Sequence, residues 1–409
     1  MRKKSIIKLI LLFSGIIVAL IACEIFLRFF YARPQSIEEV HKLFCEFDST
    51  LGWKKKANFI GTHSTLEYTV TEQSNSKGIR GPEYSYAKKP GEFRILILGD
   101  SFAEGYSVDF NNHFSEVLRR KLNKNKRVKE TVHVINAGVG GYSTDQEYLY
   151  FKNEGKHYNP DLVILMFFYN DIYYNGTDTY WRGPKPLFSI EKGKLEVVNI
   201  PLVQPEKPFE RDKTEENAHL SVFKRIKIFL YNNSYLYAIT VFKVKSNNYL
   251  LKIAQSLRLV DKAFSSPSIP AEFRAWEKNN NETLKKSWKI TEALITQLKK
   301  DTSASHMKLI IFYVPDRAEV YLEEWENTLK KYELHAEDWD IQKPAMKLGA
   351  LCKALNIDYI NSTDEFRKEA VRLNKQQLYW RYDRHWNKRG HQLAAIILYN
   401  YIMRTGNGE

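Results

Sequence analysis

Compact apolar runs that break off at glycine, asparagine or aspartate constrain this chain more than any other feature. Phe93–Leu98 (FRILIL) enters Gly99-Asp100-Ser101, Val132–Ala137 (VHVINA) enters a glycine-rich turn, and Asp161–Phe168 (DLVILMFF) stops at Tyr169-Asn170-Asp171. Lys308–Val314 (KLIIFYV) and Ile357–Ile360 follow far downstream. Runs this short, without polar alternation, suit strands buried on both faces, as in a parallel sheet. Helical periodicity falls between them, over 111–123, over 143–158 with a cap at Ser143 or Thr144, and over 282–300, 343–355 and 388–403. Strands alternating with helices, joined by right-handed crossovers, predict an α/β fold: a flavodoxin-like three-layer α/β/α sandwich around a parallel sheet of about five strands.

The chain has 409 residues, 44% hydrophobic and 27% charged, which is globular composition and excludes wholesale disorder. Its formal net charge of +14 is compatible with nucleic acid, anionic polysaccharide or anionic lipid, and does not choose among them. Three cysteines, Cys23, Cys45 and Cys352, have no zinc-ligand spacing and are too few for a disulfide scaffold. Cys45 and Cys352 either pair outside the cytoplasm or stay as buried thiols.

Residues 1–30 read as an N-terminal membrane anchor. Arg2, Lys3, Lys4 and Lys8 precede a stretch from Leu9 to Cys23 without a charged side chain, and apolar character resumes through Ile25-Phe26-Leu27. The length approaches the ~20 residues needed to cross a hydrocarbon core. Bases ahead of the run place the N-terminus in the cytoplasm and the rest outside. Glu24 and Arg28, four apart on a helix, can pair near the outer interface. Two alternatives remain open: a lipoprotein modified at Cys23, because Leu20–Cys23 resembles a lipobox, and a cleaved signal peptide. An extracytoplasmic location disfavours nucleic acid as a partner. Residues 31–92 form an irregular or β-rich extension, and 93–409 the main domain, with an insertion at about 172–275 that contains a helix over 223–244. That insertion follows the third strand, at the sheet edge where binding crevices form, and is a candidate lid.

Chemistry-bearing residues collect at the strand ends. Ser101 lies on a strand-to-helix turn and needs an adjacent base to act as a nucleophile. His385 stands in Asp383-Arg384-His385, and in an extended segment Asp383 projects to the same side as the imidazole. His391 is the rival base, whereas His113, His133 and His157 read as ordinary surface or partly buried residues. Gly141 can present an unobstructed N–H and Asn170 a side-chain amide, as an oxyanion requires.

With these residues in order, the chain resembles the SGNH, or GDSL-type, hydrolase family. The resemblance rests on Gly99-Asp100-Ser101-Phe102, Asn136–Ser143, Asn170-Asp171 and Asp383–His385, over about 93–171 and 308–404. It implies Ser101 as nucleophile, His385 as base and then acid, and Asp383 as its orienter. The oxyanion hole would be the Ser101 and Gly141 N–H groups with the Asn170 amide. It further implies an esterase or O-acyltransferase without metal or organic cofactor, acting on acylated carbohydrate or lipid. Three positions depart from the family pattern: Phe102 replaces leucine, Phe168 replaces glycine, and a single residue separates Asp383 from His385. A non-catalytic glycan-binding protein is the alternative class, with Tyr173, Tyr174, Tyr180 and Trp181 as stacking platforms or as the insertion's own small core.

Overall fold

The computed structural model describes residues 2–30, 35, 37–65, 67–206, 222–246, 248–257, 269–279, 281–374 and 377–405. The chain divides into two units, the smaller made of Met1–Val40, His63–Thr69 and Glu210–Ser265, the larger of the remainder.

The larger unit is built on a five-stranded parallel sheet. Its strands are β1 (Glu92–Gly99), β2 (Thr131–Asn136), β3 (Leu162–Phe167), β4 (Lys308–Tyr313) and β5 (Asp358–Asn361), in spatial order β5-β4-β3-β1-β2. Read from the other edge this is 2-1-3-4-5, the doubly wound arrangement the alternation predicts. Ile95, Leu96 and Ile97 in β1 and Val163 to Phe167 in β3 have no exposed surface. Helices on both faces therefore exclude water, which is why these strands carry apolar side chains on both sides. The Phe114–Lys124 helix packs on β2 and on the Lys388–Thr405 helix. The Thr144–Asn153 helix packs on the Glu282–Ala304 helix. The chain leaves β1 toward β2 and returns to β3 on the other side of β1, so the β1–β3 boundary is the switch point where the loops splay apart. Ser101 follows β1 and Asn170 follows β3, one on each side of that boundary.

Cys45–Asp48 pairs antiparallel with Gly52–Lys55 in a hairpin that buries Trp53 and Lys55. The 143–158 helix is shorter than its periodicity suggests, ending at Asn153 and followed by a 3-10 turn at Gly155–Tyr158. Ser143 takes the N-cap position without a side-chain cap bond, and the Thr144 hydroxyl donates instead to Asp171. Helices at Leu322–Tyr332 and Thr363–Arg372, absent from the sequence reading, also belong to this unit. Cys45 and Cys352 are both buried, free thiols.

In the smaller unit, Arg2–Phe30 is one continuous helix, of which Ile7–Phe30 (mean hydropathy 2.7) is long and apolar enough to cross a membrane. The expected Glu24–Arg28 pair is present at 2.8 Å. The helix expected over 223–244 is two, Val222–Asn233 and Tyr235–Ser246, followed by a third at Asn248–Ser256. The insertion thus divides between the units: its first part, through the short strands at Thr179–Tyr180, Gly183–Pro184, Phe188–Glu191 and Lys194–Val197, belongs with the sheet. The helices at 222–256 group with the N-terminal helix.

Candidate active site

Ser101 opens a four-residue helix, Ser101–Glu104, directly after β1. Asp100 caps it, its carboxylate accepting the Phe102 N–H at 2.9 Å. The turn is tight, and the glycine block runs against it: a Cβ on Gly138 would sit 2.5 Å from the Glu104 nitrogen, so only glycine lets the two backbones approach. Asn136 seals this contact, donating from Nδ2 to the Ala103 carbonyl (2.6 Å) and accepting the Gly138 N–H (3.1 Å).

The sheet edge and the C-terminal segment meet across almost three hundred residues. Ser101 Oγ lies 2.7 Å from His385 Nε2, and His385 Nδ1 lies 2.8 Å from Asp383 Oδ1. These are hydrogen-bond distances for a serine–imidazole–carboxylate relay. Ser107 Oγ donates to the Trp386 carbonyl (2.8 Å) and Trp380 Nε1 to the Ser107 carbonyl (3.2 Å), which fastens the two segments together. Asp383 reaches the ring by a turn and not through an extended strand. Arg384 is left-handed, with φ of 71°, and its guanidinium lies 3.5 Å from Asp316. That turn accommodates the shortened Asp-x-His spacing.

Tyr106, which the sequence reading passed over, completes the relay. Its hydroxyl donates to Asp383 (3.0 Å to Oδ2) and lies 3.0 Å from His385 Nδ1. Burial pushes the His385 imidazole down, but the charge and hydrogen bond of Asp383, with Asp100 behind, outweigh it and raise the ring above the ordinary histidine value. Burial also raises the Asp100 carboxyl to about 6.

His391 does not reach Ser101. It is buried beside Phe114 and Trp386, and burial, with Arg80 and His385 nearby, lowers it to about 3. His113, expected on the surface or partly buried, is instead fully buried. It lies within hydrogen-bond distance of the Ala103 carbonyl (3.0 Å) and of Ser115, behind the serine turn. Burial and its neighbours His391 and Arg80 hold it neutral, well below the usual value.

Gly141 adopts φ of +78°, and a Cβ there would lie 2.7 Å from the Tyr180 ring and 3.1 Å from the Arg182 side chain. The first part of the insertion therefore covers this glycine. Gly140 beside it is held on both sides: its N–H donates to Glu104 Oε2 (2.6 Å) and its carbonyl accepts from Trp53 Nε1 (3.0 Å). Glu104 pairs with the buried Lys55, which also bonds Glu72 at 2.9 Å. Burial alone would raise the Glu104 carboxyl; Lys55 and Arg182 reverse this and bring it to about 2. Two residues of the N-terminal extension, Trp53 and Lys55, thus set the glycine loop. Asn170 is half-buried at the end of β3; its Oδ1 is buried with no hydrogen-bond partner among the described residues. Asp171 beside it is fully buried, and burial, with Asp100 and Asp145 nearby, raises its carboxyl well above the usual range.

The two aromatic departures touch each other. The Phe102 ring packs 4.8 Å from Phe168 and 4.8 Å from the His385 imidazole, so the substitutions at 102 and 168 form one wall beside the relay. Tyr174 and Tyr180 stack edge to face at 4.3 Å, Tyr180 lies on Trp53, and Tyr174 donates to Glu272. These rings are half-buried, and Tyr180 packs on a residue of the N-terminal extension and not of the insertion.

Residues 97–223 match the GDSL-like lipase/acylhydrolase family, and residues 273–409 match the SGNH hydrolase-like domain of acetyltransferase AlgX. The chain belongs to the SGNH, or GDSL-type, hydrolase family. Members of this family act on ester bonds, as esterases or acyltransferases, and the chain is an enzyme of that class. No curated protein matches it. Similar solved structures include the acetyl xylan esterase AlAXEase (12% identity, 76% of this chain and 100% of that chain, TM-score 0.38). A putative lipolytic protein of the G-D-S-L family from Desulfitobacterium hafniense DCB-2 is 12% identical, covering 75% and 98%, with a TM-score of 0.35. A catalytic mutant of Axe2, an acetylxylan esterase from Geobacillus stearothermophilus, is 11% identical, covering 77% and 96%, with a TM-score of 0.36. The SGNH blocks of the chain fall at the ends of β1, β2 and β3 and in the turn before the final helix.

Proposed function

We propose that this SGNH enzyme is a membrane-anchored serine hydrolase of the cell envelope that removes O-acyl groups from carbohydrate or lipid. The observation that carries this reading is the Ser101–His385–Asp383 chain of contacts, at 2.7 and 2.8 Å. Ser101 Oγ attacks the ester carbonyl as its proton passes to His385 Nε2, and Asp383 holds the other ring proton and stabilises the imidazolium. The negative charge on the tetrahedral oxygen falls to the N–H groups of Ser101 and Gly141 and the amide of Asn170. His385 then returns the proton to the departing alcohol, which leaves an acyl ester on Ser101. Water, deprotonated by His385, releases the acid and restores the serine.

A second reading, transfer of the acyl group to an envelope polysaccharide, is favoured by the match of 273–409 to the AlgX acetyltransferase domain. The two differ only in the final acceptor, water or a sugar hydroxyl. The N-terminal helix supports an extracytoplasmic location, with Arg2, Lys3, Lys4 and Lys8 on the cytoplasmic side.

A fluorophosphonate probe tests the nucleophile: it is expected to label the wild type and not Ser101→Ala, and equal labelling would remove Ser101 from the mechanism. With an activated acetyl ester supplied beside a glycan, free acetate without glycan acetylation indicates hydrolysis. Acetylated glycan indicates transfer. Glycan binding that survives Ser101→Ala, with no ester turned over by the wild type, would favour a binding protein.

A further inference from the structure

Within the smaller unit, the N-terminal helix holds the corner between two insertion helices. Glu24 accepts hydrogen bonds from the Ser234 hydroxyl (2.8 Å) and from the backbone N–H groups of Tyr235 and Leu236 (both 3.0 Å). It therefore acts as the N-cap of the Tyr235–Ser246 helix from another segment of the chain. Arg28 adds a hydrogen bond to Glu24 and another from its guanidinium to the Asn233 carbonyl at 2.6 Å. A carboxylate inside an apolar run is costly unless satisfied, and here four donors satisfy it. The corner at 233–236 is thus fixed at the level of Glu24.

Twenty-four residues at ~1.5 Å each make the Ile7–Phe30 span ~36 Å long, a little more than a ~30 Å hydrocarbon core. Glu24 falls ~26 Å along it, close to the outer boundary of that core. The helix before the corner and the one that follows Tyr235–Ser246 carry exposed apolar stripes. On Val222–Asn233, Val222, Ile226, Phe229 and Leu230 share one face, with Phe223 at its edge, and Phe223 is 78% exposed. On Asn248–Ser256, Tyr249, Leu250 and Ile253 share a face that continues to Leu257, and Tyr249 is 73% exposed. Arg225 and Lys227 border the first stripe, where long basic side chains can reach lipid phosphates while their stems stay apolar. Aromatic rings and flanking bases on an apolar stripe are the chemistry of a helix lying in a lipid interface, and water is a poor match for it.

We propose that the Val222–Asn233 and Asn248–Ser256 helices lie in the outer interface of a phospholipid bilayer, as a second membrane contact beside the N-terminal helix. This rests on the reading of Ile7–Phe30 as a retained membrane span. The occupant of the stripes is lipid, because the Glu24 and Arg28 bonds fix the end of Val222–Asn233 at the depth where headgroups meet acyl chains, and Asn248–Ser256 is carried there by its packing on Tyr235–Ser246.

The test uses the full chain reconstituted in vesicles of phosphatidylethanolamine and phosphatidylglycerol. Cys23→Ser leaves only buried native thiols, and Phe223→Cys, Phe229→Cys or Tyr249→Cys then carries an environment-sensitive fluorophore, with exposed Val371→Cys as control. Blue-shifted emission at the three insertion sites, quenched about twofold or more by a nitroxide lipid, with no such change at 371, is the expected result. Water-like emission at all three sites overturns the proposal. So does blue-shifted emission that the nitroxide lipid fails to quench, because the stripes would then be covered by protein, whether a second copy or another membrane protein. Alkaline extraction of the same vesicles separates the two failures. Release of the chain means that the N-terminal helix does not span and the proposal falls with it, whereas retention with probes in water removes the lipid contact alone.

Discussion

At the residue scale, the His385 ring is the group whose protonation should govern turnover. Asp383 and Asp100 hold it above the ordinary histidine value despite its burial. A raised value keeps the ring protonated, and unable to accept the Ser101 proton, to a higher pH than an ordinary imidazole. The acid limb of kcat/KM is therefore expected above ~6.5, with activity rising as pH increases through it. Asp383→Asn removes the main raising charge and loses control of the tautomer. It should move that limb to lower pH and lower kcat by about 10³- to 10⁴-fold. An unshifted limb in a pH–rate profile would separate His385 from the base. Tyr106→Phe removes a hydrogen-bond donor to the same carboxylate. A modest loss is expected, roughly threefold to tenfold in kcat, the size of one ordinary hydrogen bond. Because Arg384 closes the turn between Asp383 and His385 from a left-handed conformation, Arg384→Gly should retain the relay, whereas a β-branched residue there would strain it.

At the element scale, the glycine loop after β2 is clamped between the serine helix and the Gly52–Lys55 strand. Trp53 donates to the Gly140 carbonyl and Glu104 accepts its N–H, one residue before Gly141. Trp53→Phe keeps an aromatic ring in the core and deletes the indole donor. Loosening the loop should weaken oxyanion stabilisation, which is felt only in the transition state. The expected signature is a fall in kcat of about threefold to tenfold with KM unchanged, in steady-state kinetics on an activated ester. A change confined to KM would place the loop in substrate binding instead. These clamps were not legible in the sequence, whereas the sheet was. FRILIL, VHVINA and DLVILMFF announce buried strands because each pattern lies within one short stretch, and the family blocks end those same strands. Lys55, Glu72 and Glu104 look in isolation like solvated surface charges. They become a buried triad only when segments up to 49 residues apart are folded together. Tyr106 was hidden for the same reason, its partner lying 277 positions away. The break at Ser234 was invisible because its cap, Glu24, comes from the N-terminal helix.

At the scale of the whole molecule, the proposed membrane attachment turns on whether the N-terminal helix, a candidate anchor or signal sequence, is kept. An excess of +14 charges does not decide it, since basic surface suits lipid and acidic polymer alike. The continuity of the N-terminal helix bears on it more directly. Cys23 lies inside an unbroken helix that runs on to Phe30, with Ile25, Phe26, Phe29 and Phe30 exposed beyond it. Cleavage before Cys23 would discard most of the apolar length and leave Glu24 near a new terminus, whereas an uncleaved span keeps Glu24 in place to cap the Tyr235–Ser246 helix. Retention through the intact helix requires nothing from the thiol. Cys23→Ser is therefore expected to fractionate with membranes after alkaline extraction as the wild type does, with residues 1–22 still attached by mass spectrometry. A lipid-modified cysteine predicts the same Cys23→Ser chain, with its leader unprocessed, but a different wild type: one beginning at Cys23 and heavier by its acyl chains. The mass of the mature N-terminus separates the two.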